Sequence, residues 1–201
     1  MDNRKDQIVE AAVKRFSHFG FHKTTMNEIA DDLRITKANL YYYYTDKSAL
    51  IIDVITKIAN DVYDLEENII MQYSGNLLET MAELLEMRAV SMKKYYMLHI
   101  NENLDWIKGI DINGVMESFY QRDIQRLCIL FQKAKECNEL HMENIQESAR
   151  SYAEIIKGLS IFHAVSDMIT GIPDEDNVNK ILLSQKRATK FIFDSKIISN
   201  K

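Results

Sequence analysis

Residues 24–50 read TTMNEIADDLRITKANLYYYYTDKSAL, and their punctuation sets the local structure. Thr25 stands three residues before Glu28. At that spacing the threonine can accept from the first helical turn while the glutamate reaches back, so a helix is expected to start at Met26. Ile29, Ala30 and Leu33 supply its apolar side, and Arg34-Ile35 breaks the rhythm. Thr36 is a second N-cap candidate, opening another short helix through Lys37, Ala38, Asn39 and Leu40 into the tyrosines. Thr45 and Asp46 offer a third cap, ahead of Leu50, Ile51, Val54, Ile55, Ile58 and Val62 at helical spacing. Two short helices across a tight turn, the second polar at its start, are the parts of a helix-turn-helix.

The second short helix has the chemistry of an element that enters a major groove. Thr36, Lys37 and Asn39 can donate to base edges or phosphates, and small Ala38 permits close approach. Leu40 and Tyr44 are four apart, share one face and are expected to pack inward. Tyr41 and Tyr42 point elsewhere and can offer hydroxyls to phosphates. Thr25 and Lys47, at the starts of the flanking helices, complete the expected DNA contacts. The alternative is an aromatic core that absorbs all four tyrosines, although one short helix cannot bury all its sides.

The run from Ile8 to Leu50 resembles the DNA-binding domain of the TetR family of transcriptional regulators. The resemblance rests on Ala12 and Phe16, Gly20, Thr25, Ile29-Ala30, Leu40-Tyr41 with Tyr43 and Tyr44, and Lys47 with Leu50, in that order. It covers roughly the first quarter of the chain. The family usually has glycine at the turn between the two short helices, where this chain has Arg34. If that turn is left-handed, arginine costs on the order of 1 kcal/mol over glycine there.

Composition sets wider bounds. The chain has 201 residues, 46% of them hydrophobic, with one proline and six glycines, which favours an all-α protein with a real core. The net charge of −5 argues weakly against DNA until it is divided. Residues 1–48 hold eight basic and seven acidic groups, a balance of +1, while the remainder holds 17 basic and 23 acidic. Charge has the right asymmetry but does not by itself identify a DNA-binder. Cys128 and Cys137 fall on one expected helix, about 13 Å apart along it and on opposite sides, so they do not pair. Neither an apolar N-terminal signal nor a membrane-length apolar run is visible, and a cytoplasmic protein without membrane partners is expected.

Along the chain, helices are expected over 4–19, with Ile8, Ala11, Ala12, Phe16 and Phe19 inward and Gly20 as the closing cap, and over 46–71 and 77–96. A short helix flanked by loops is expected in the less regular stretch around Trp106. Further helices are expected over 115–137 and 143–170, and after Asp174, for about nine in all. The expected organisation is a helix-turn-helix DNA-binding domain over 1–48 and a helical ligand-binding and dimerisation domain over 49–201.

The helix over 143–170 is apolar on more than one side, which requires two partners. The family resemblance implies a four-helix dimer interface from the last two helices, here Tyr152, Ile155, Leu159, Phe162, Ile181, Ala188 and Phe191. Central burial in a monomer is the alternative. The resemblance also implies an effector pocket, for which Met81, Met92, Tyr96, His99, Trp106, Met116, Phe119 and Tyr120 are candidates. Flexible methionines and flat rings suit an apolar or aromatic small molecule. The same residues at helical spacing also suit plain core.

No Glu-x-x-His pair, Walker loop, dinucleotide glycine motif or nucleophile elbow occurs. No enzyme, cofactor or metal is expected. The sequence points to a homodimeric repressor that binds a pseudo-palindromic double-stranded DNA operator and is released by a small-molecule effector. The rival readings are a partner-controlled or constitutive DNA-binding regulator without an effector, and a helical ligand-sequestering protein or enzyme with a vestigial helix-turn-helix.

Overall fold

The computed structural model describes residues 3–95, 98, 112–170, 174 and 176–197. Among them are eight helices: α1 (Asn3–Lys23), α2 (Met26–Asp32), α3 (Lys37–Tyr43), α4 (Lys47–Met71), α5 (Leu77–Lys94), α6 (Ile112–Glu136), α7 (Ile145–Thr170) and α8 (Asp176–Phe193). There is no strand among the described residues, only an isolated bridge between Leu140 and Ile197. The short helix expected around Trp106 lies outside the described residues.

The chain divides into two compact units. One comprises Met1–Asp61, Lys94–Ile112 and Asp167–Pro173; the other comprises Val62–Lys93, Asn113–Ser166 and Asp174–Lys201. The first is built on Ile8, Ala12, Phe16, Ile29, Leu40, Leu50, Ile51 and Val54, all fully buried or nearly so. The second is built on Leu77, Met81, Leu130, Phe131, Tyr152 and Phe193. The rings of Phe131, Tyr152 and Phe193 pack together with centroids 5.3–6.2 Å apart.

The helix starts follow the caps in the sequence. Thr25 Oγ1 accepts from the Glu28 N–H at 3.3 Å, and Glu28 Oε2 accepts from the Thr25 N–H at 2.7 Å, closing the expected box. Thr36 Oγ1 accepts from the Asn39 N–H at 3.2 Å, and Asp46 Oδ1 from the Ala49 N–H at 2.8 Å. The first helix behaves differently from its expectation at one residue. Gly20 (φ 78, ψ 169) breaks the helical path, and the chain turns before continuing to Lys23. That turn places Phe21 in the core, edge-on to Phe16 at 5.0 Å, and leaves Phe19 exposed beneath the Arg15 guanidinium at 5.5 Å.

The turn after α2 is left-handed at Arg34, with φ 53. Arg34 N–H donates to Asp31 O and Ile35 N–H to Ala30 O, each at 3.0 Å. These two bonds satisfy the last carbonyls of α2 and make a Schellman motif. The end of α6 repeats it around Asn138 (φ 56), where Asn138 N–H meets Lys135 O at 3.0 Å and Glu139 N–H meets Ala134 O at 2.9 Å.

Candidate nucleic-acid interface and ligand cavity

Helix α3 has two kinds of face. Leu40 and Tyr44 are buried as expected, and the Tyr44 hydroxyl donates to Asp53 at 2.8 Å. Asp53 also pairs with Lys5 at 2.8 Å, and the Lys5 ammonium lies 5.3 Å from the Tyr44 ring centre. Burial, then the neighbouring Asp53, pushes the Tyr44 phenol far above its ordinary range, so it remains a donor. The anchor thus ties the end of α3 to α1 and α4. Opposite it, Thr36, Lys37, Ala38 and Asn39 are exposed, Tyr42 is 83% exposed, and Lys37 lies over the Tyr41 ring at 5.6 Å.

The hydroxyls of the two capping threonines are not equivalent. Thr25 Oγ1 donates its proton to Glu28 Oε2 at 2.9 Å, so a phosphate would have to displace this bond to receive it, although the two bonds of the cap would remain. Thr36 accepts through its oxygen and keeps its proton for a partner. Lys47 is half-buried, and desolvation lowers its pKa against the opposing pull of Glu28.

Arg15 fixes α2 on α1 with a fork to Asp32, Nε to Oδ2 at 2.6 Å and Nη2 to Oδ1 at 2.9 Å, and reaches Glu28 at 3.3 Å. The Arg15 hydrogen bond holds the Asp32 carboxyl below its usual range. Neither this fork nor the Tyr44–Asp53–Lys5 anchor was expected from sequence. The members are 17 and 9 residues apart or more, beyond any capping or helical spacing.

The second unit contains a cavity of about 230 Å³. Ile70, Met81, Leu84, Met92, Ile156 and Ile181 give it apolar walls, and Glu66, Arg88, Asp123, Arg126 and Gln185 give it a polar end. Arg88 pairs with Glu66 and with Asp123, the latter at 2.8 Å. Burial works against the Arg88 charge, but the two carboxylates more than offset it and its pKa rises. Tyr63 lies beside this group, with the Arg122 and Arg126 guanidiniums 4.1 and 4.2 Å from its ring centre. Burial, then Asp123, raises its phenol to about 12.

Of the expected ligand residues, Met81 and Met92 line this cavity. Phe119 instead packs on Tyr63 at 6.3 Å, Tyr120 donates to Glu154 at 2.6 Å, and Met116 is exposed. Tyr96, His99 and Trp106 lie outside the described residues. Two residues expected at a dimer interface, Tyr152 and Ile181, are buried in the unit's own core and line the cavity as well. Tyr152 is held there by a 2.7 Å hydrogen bond with Thr189. Ile155, Phe162 (71%) and Phe191 (85%) are exposed, together with Ile161, Val165 and Leu183, while Leu159 and Ala188 are half-buried.

The geometry of α2 and α3 defines a helix-turn-helix of the class that presents a reading helix to DNA. Residues 8–54 match the family described as bacterial regulatory proteins, tetR family. Over 55 residues the chain is 44% identical to the HTH-type transcriptional regulator RutR of Escherichia coli (strain K12), a match covering 27% of this chain and 26% of that protein. Over 67 residues it is 34% identical to the biofilm operon icaADBC HTH-type negative transcriptional regulator IcaR of Staphylococcus aureus (strain Newman), covering 33% of this chain and 34% of that protein. The matched segments thus span between a quarter and about a third of these curated relatives.

Two solved structures extend the likeness along the chain. A transcriptional regulator from Cytophaga hutchinsonii ATCC 33406 has a TM-score of 0.85 at 24% identity, covering 98% of this chain and 100% of that one. A putative TetR-family transcriptional regulator from Mesorhizobium loti MAFF303099 has a TM-score of 0.67 at 20% identity, covering 94% and 96%. Residues 8–54 thus form the helix-turn-helix segment that matches the tetR family, on a fold that the chain shares with these two solved structures.

Proposed function

We propose that this chain is a homodimeric, sequence-specific DNA-binding regulator that acts as a repressor and is controlled by a small molecule held in the cavity of its second unit. The observation that carries the reading is the division of α3. Its polar start, Thr36 to Asn39, is wholly exposed, while Leu40 and Tyr44 lock the helix to the body of its unit. A helix held this way can enter a major groove without rearranging its support. Lys37 and Asn39 then reach base edges, and Thr36, Tyr42 and Lys47 reach phosphates.

The dimer is supported by the exposed apolar side chains of α7 and α8, Phe162 and Phe191 among them. Two subunits related by a two-fold axis would present two α3 helices to the half-sites of a pseudo-palindrome. The names of the relatives, one of them a negative regulator, support repression. Release requires that the ligand bind the two states of the protein with different affinity. In this reading residues 1–48 carry DNA recognition, and residues 49–201 carry ligand and partner.

The test is a gel shift of the full chain on DNA upstream of its own gene across a salt series. The expected result is a discrete complex that outlasts competitor DNA and weakens steeply with salt. Binding that is absent, or equal on unrelated DNA, would overturn the reading and favour a ligand-sequestering role.

A further inference from the structure

The polar end of the cavity contains two unsatisfied atoms that face one another. Glu66 uses Oε1 to pair with Arg88, but among the described residues its Oε2 has no hydrogen-bond partner. The same holds for Arg126 Nε, which lies 3.8 Å from Glu66 Oε2, too far to bond to it. The Glu66 side chain is only 3% exposed, so bulk water does not serve it. Leaving a buried acceptor and a buried donor unmade is costly, and the two residues that hold them are among those lining the cavity.

From this pair we infer that the cavity takes a neutral, mostly apolar molecule with one hydroxyl group, and that the hydroxyl sits between Glu66 and Arg126. A hydroxyl is both donor and acceptor. An oxygen about 2.8 Å from each of two atoms 3.8 Å apart lies slightly off the line joining them; both atoms are closed to a molecule the size of water as they stand, so the two side chains part slightly to admit it. It would donate to Glu66 Oε2 and accept from Arg126 Nε–H.

Neutrality follows from the charges already in place. Glu66 and Asp123 balance Arg88 and Arg126. A carboxylate seated there would oppose the Glu66 oxygen, and an ammonium would oppose Arg126. Lys157, the remaining cation of the lining, is exposed and stands 5.7 Å from the Tyr120 ring centre. Size follows from volume. A cavity of about 150 Å³ holds benzene, so the 230 Å³ found here suits roughly ten non-hydrogen atoms.

This assignment rests on the cavity being the effector site, so its test separates binding from DNA release. Calorimetry on the full chain compares 4-ethylphenol, ethylbenzene, 4-ethylbenzoate and 4-ethylbenzylamine. The phenol is expected to bind at least about tenfold more tightly than each of the others. Glu66→Gln replaces the acceptor facing the ligand with an amide that can donate, and should shift the preference from the phenol toward the benzoate. Arg126→Met should cut the preference for phenol over ethylbenzene to less than about threefold. Circular dichroism checks the fold of each variant, and if neither folds the four-probe series on the unaltered protein decides.

A benzoate or benzylamine that binds more tightly than the phenol overturns the inference. So does a preference unchanged in both folded variants, or failure of all four probes to bind, which would leave the pair to water. Gel shifts with saturating probe run in parallel. Phenol-selective binding that leaves DNA affinity unmoved supports the cavity chemistry and refutes the effector reading. Release by the benzoate but not the phenol does the reverse.

Discussion

Replacing Arg34 with glycine should stabilise the helix-turn-helix, although it removes a side chain of five donors. Arg34 sits at φ 53, the left-handed region, as the residue that follows the α2 cap in a Schellman motif. A side chain with a Cβ costs about 1–2 kcal/mol there. Glycine relieves that cost but raises the entropy of the unfolded chain, which offsets roughly 0.5–1 kcal/mol. The net expectation is a gain of about 0.5–1 kcal/mol. Arg34→Ala keeps the Cβ and its strain, so it should leave stability within about 0.5 kcal/mol of the parent. The pair of variants therefore separates backbone relief from loss of the guanidinium.

A chain of two units need not unfold in one step, so a global melting curve is the wrong probe. Native-state amide exchange in α2 and α3 reads the local effect. Arg34→Gly should slow exchange there by about two- to fivefold, the equivalent of that gain, and Arg34→Ala should not. Equal behaviour of the two variants, or faster exchange in Arg34→Gly, would refute the strain argument. DNA binding gives an independent readout. If the exposed Arg34 guanidinium holds a phosphate, both variants lose affinity alike and the salt slope falls by about one unit.

Four other variants test the remaining parts. Asn39→Ala should cost about 1–3 kcal/mol of operator binding and relax base preference at one position per half-site, whereas Lys47→Ala should weaken all sequences alike; uniform weakening by Asn39→Ala would show that Asn39 meets a phosphate. Phe162→Glu with Phe191→Glu places two charges on exposed apolar positions and should give a folded monomer with greatly weakened operator binding; sedimentation showing an unchanged dimer would move the interface elsewhere. The Glu28 carboxyl is held below its ordinary 4.5 by the Thr25 N–H and then the Thr25 hydroxyl, and Asp32 below its ordinary 3.8 by Arg15. Because both folded-state values are depressed, their stabilisation is fully present above about pH 4.5 and is lost as pH falls through those lower values. Acid titration of α2 amide exchange should therefore show weakening that Glu28→Gln makes shallower, and identical profiles would show that the cap does not couple to the charge.

What the sequence disclosed and what it withheld divide by distance along the chain. Thr25, Thr36 and Asp46 could be read as caps because each acts on a backbone group three residues away. The first-helix expectation failed at Phe19 for an equally local reason: a helical face was continued to a residue next to Gly20, where the path bends and Phe21 takes the inner place. The cavity's polar end has no such local signature. Glu66, Arg88 and Asp123 come from α4, α5 and α6, and each reads as an ordinary solvated charge on its own helix. The apolar periodicity of α7 and α8 raised a different difficulty. It marks which residues avoid water, but gives the same signal for Tyr152, which lines the cavity, and for Phe162, which is exposed. Only packing separates the two, because burial inside one unit and an outward apolar face follow from the same spacing. For that reason the cavity and the exposed face of α7 and α8 need separate perturbations. A charge at Phe162 tests association without touching the lining, and Glu66→Gln tests the lining without touching the face.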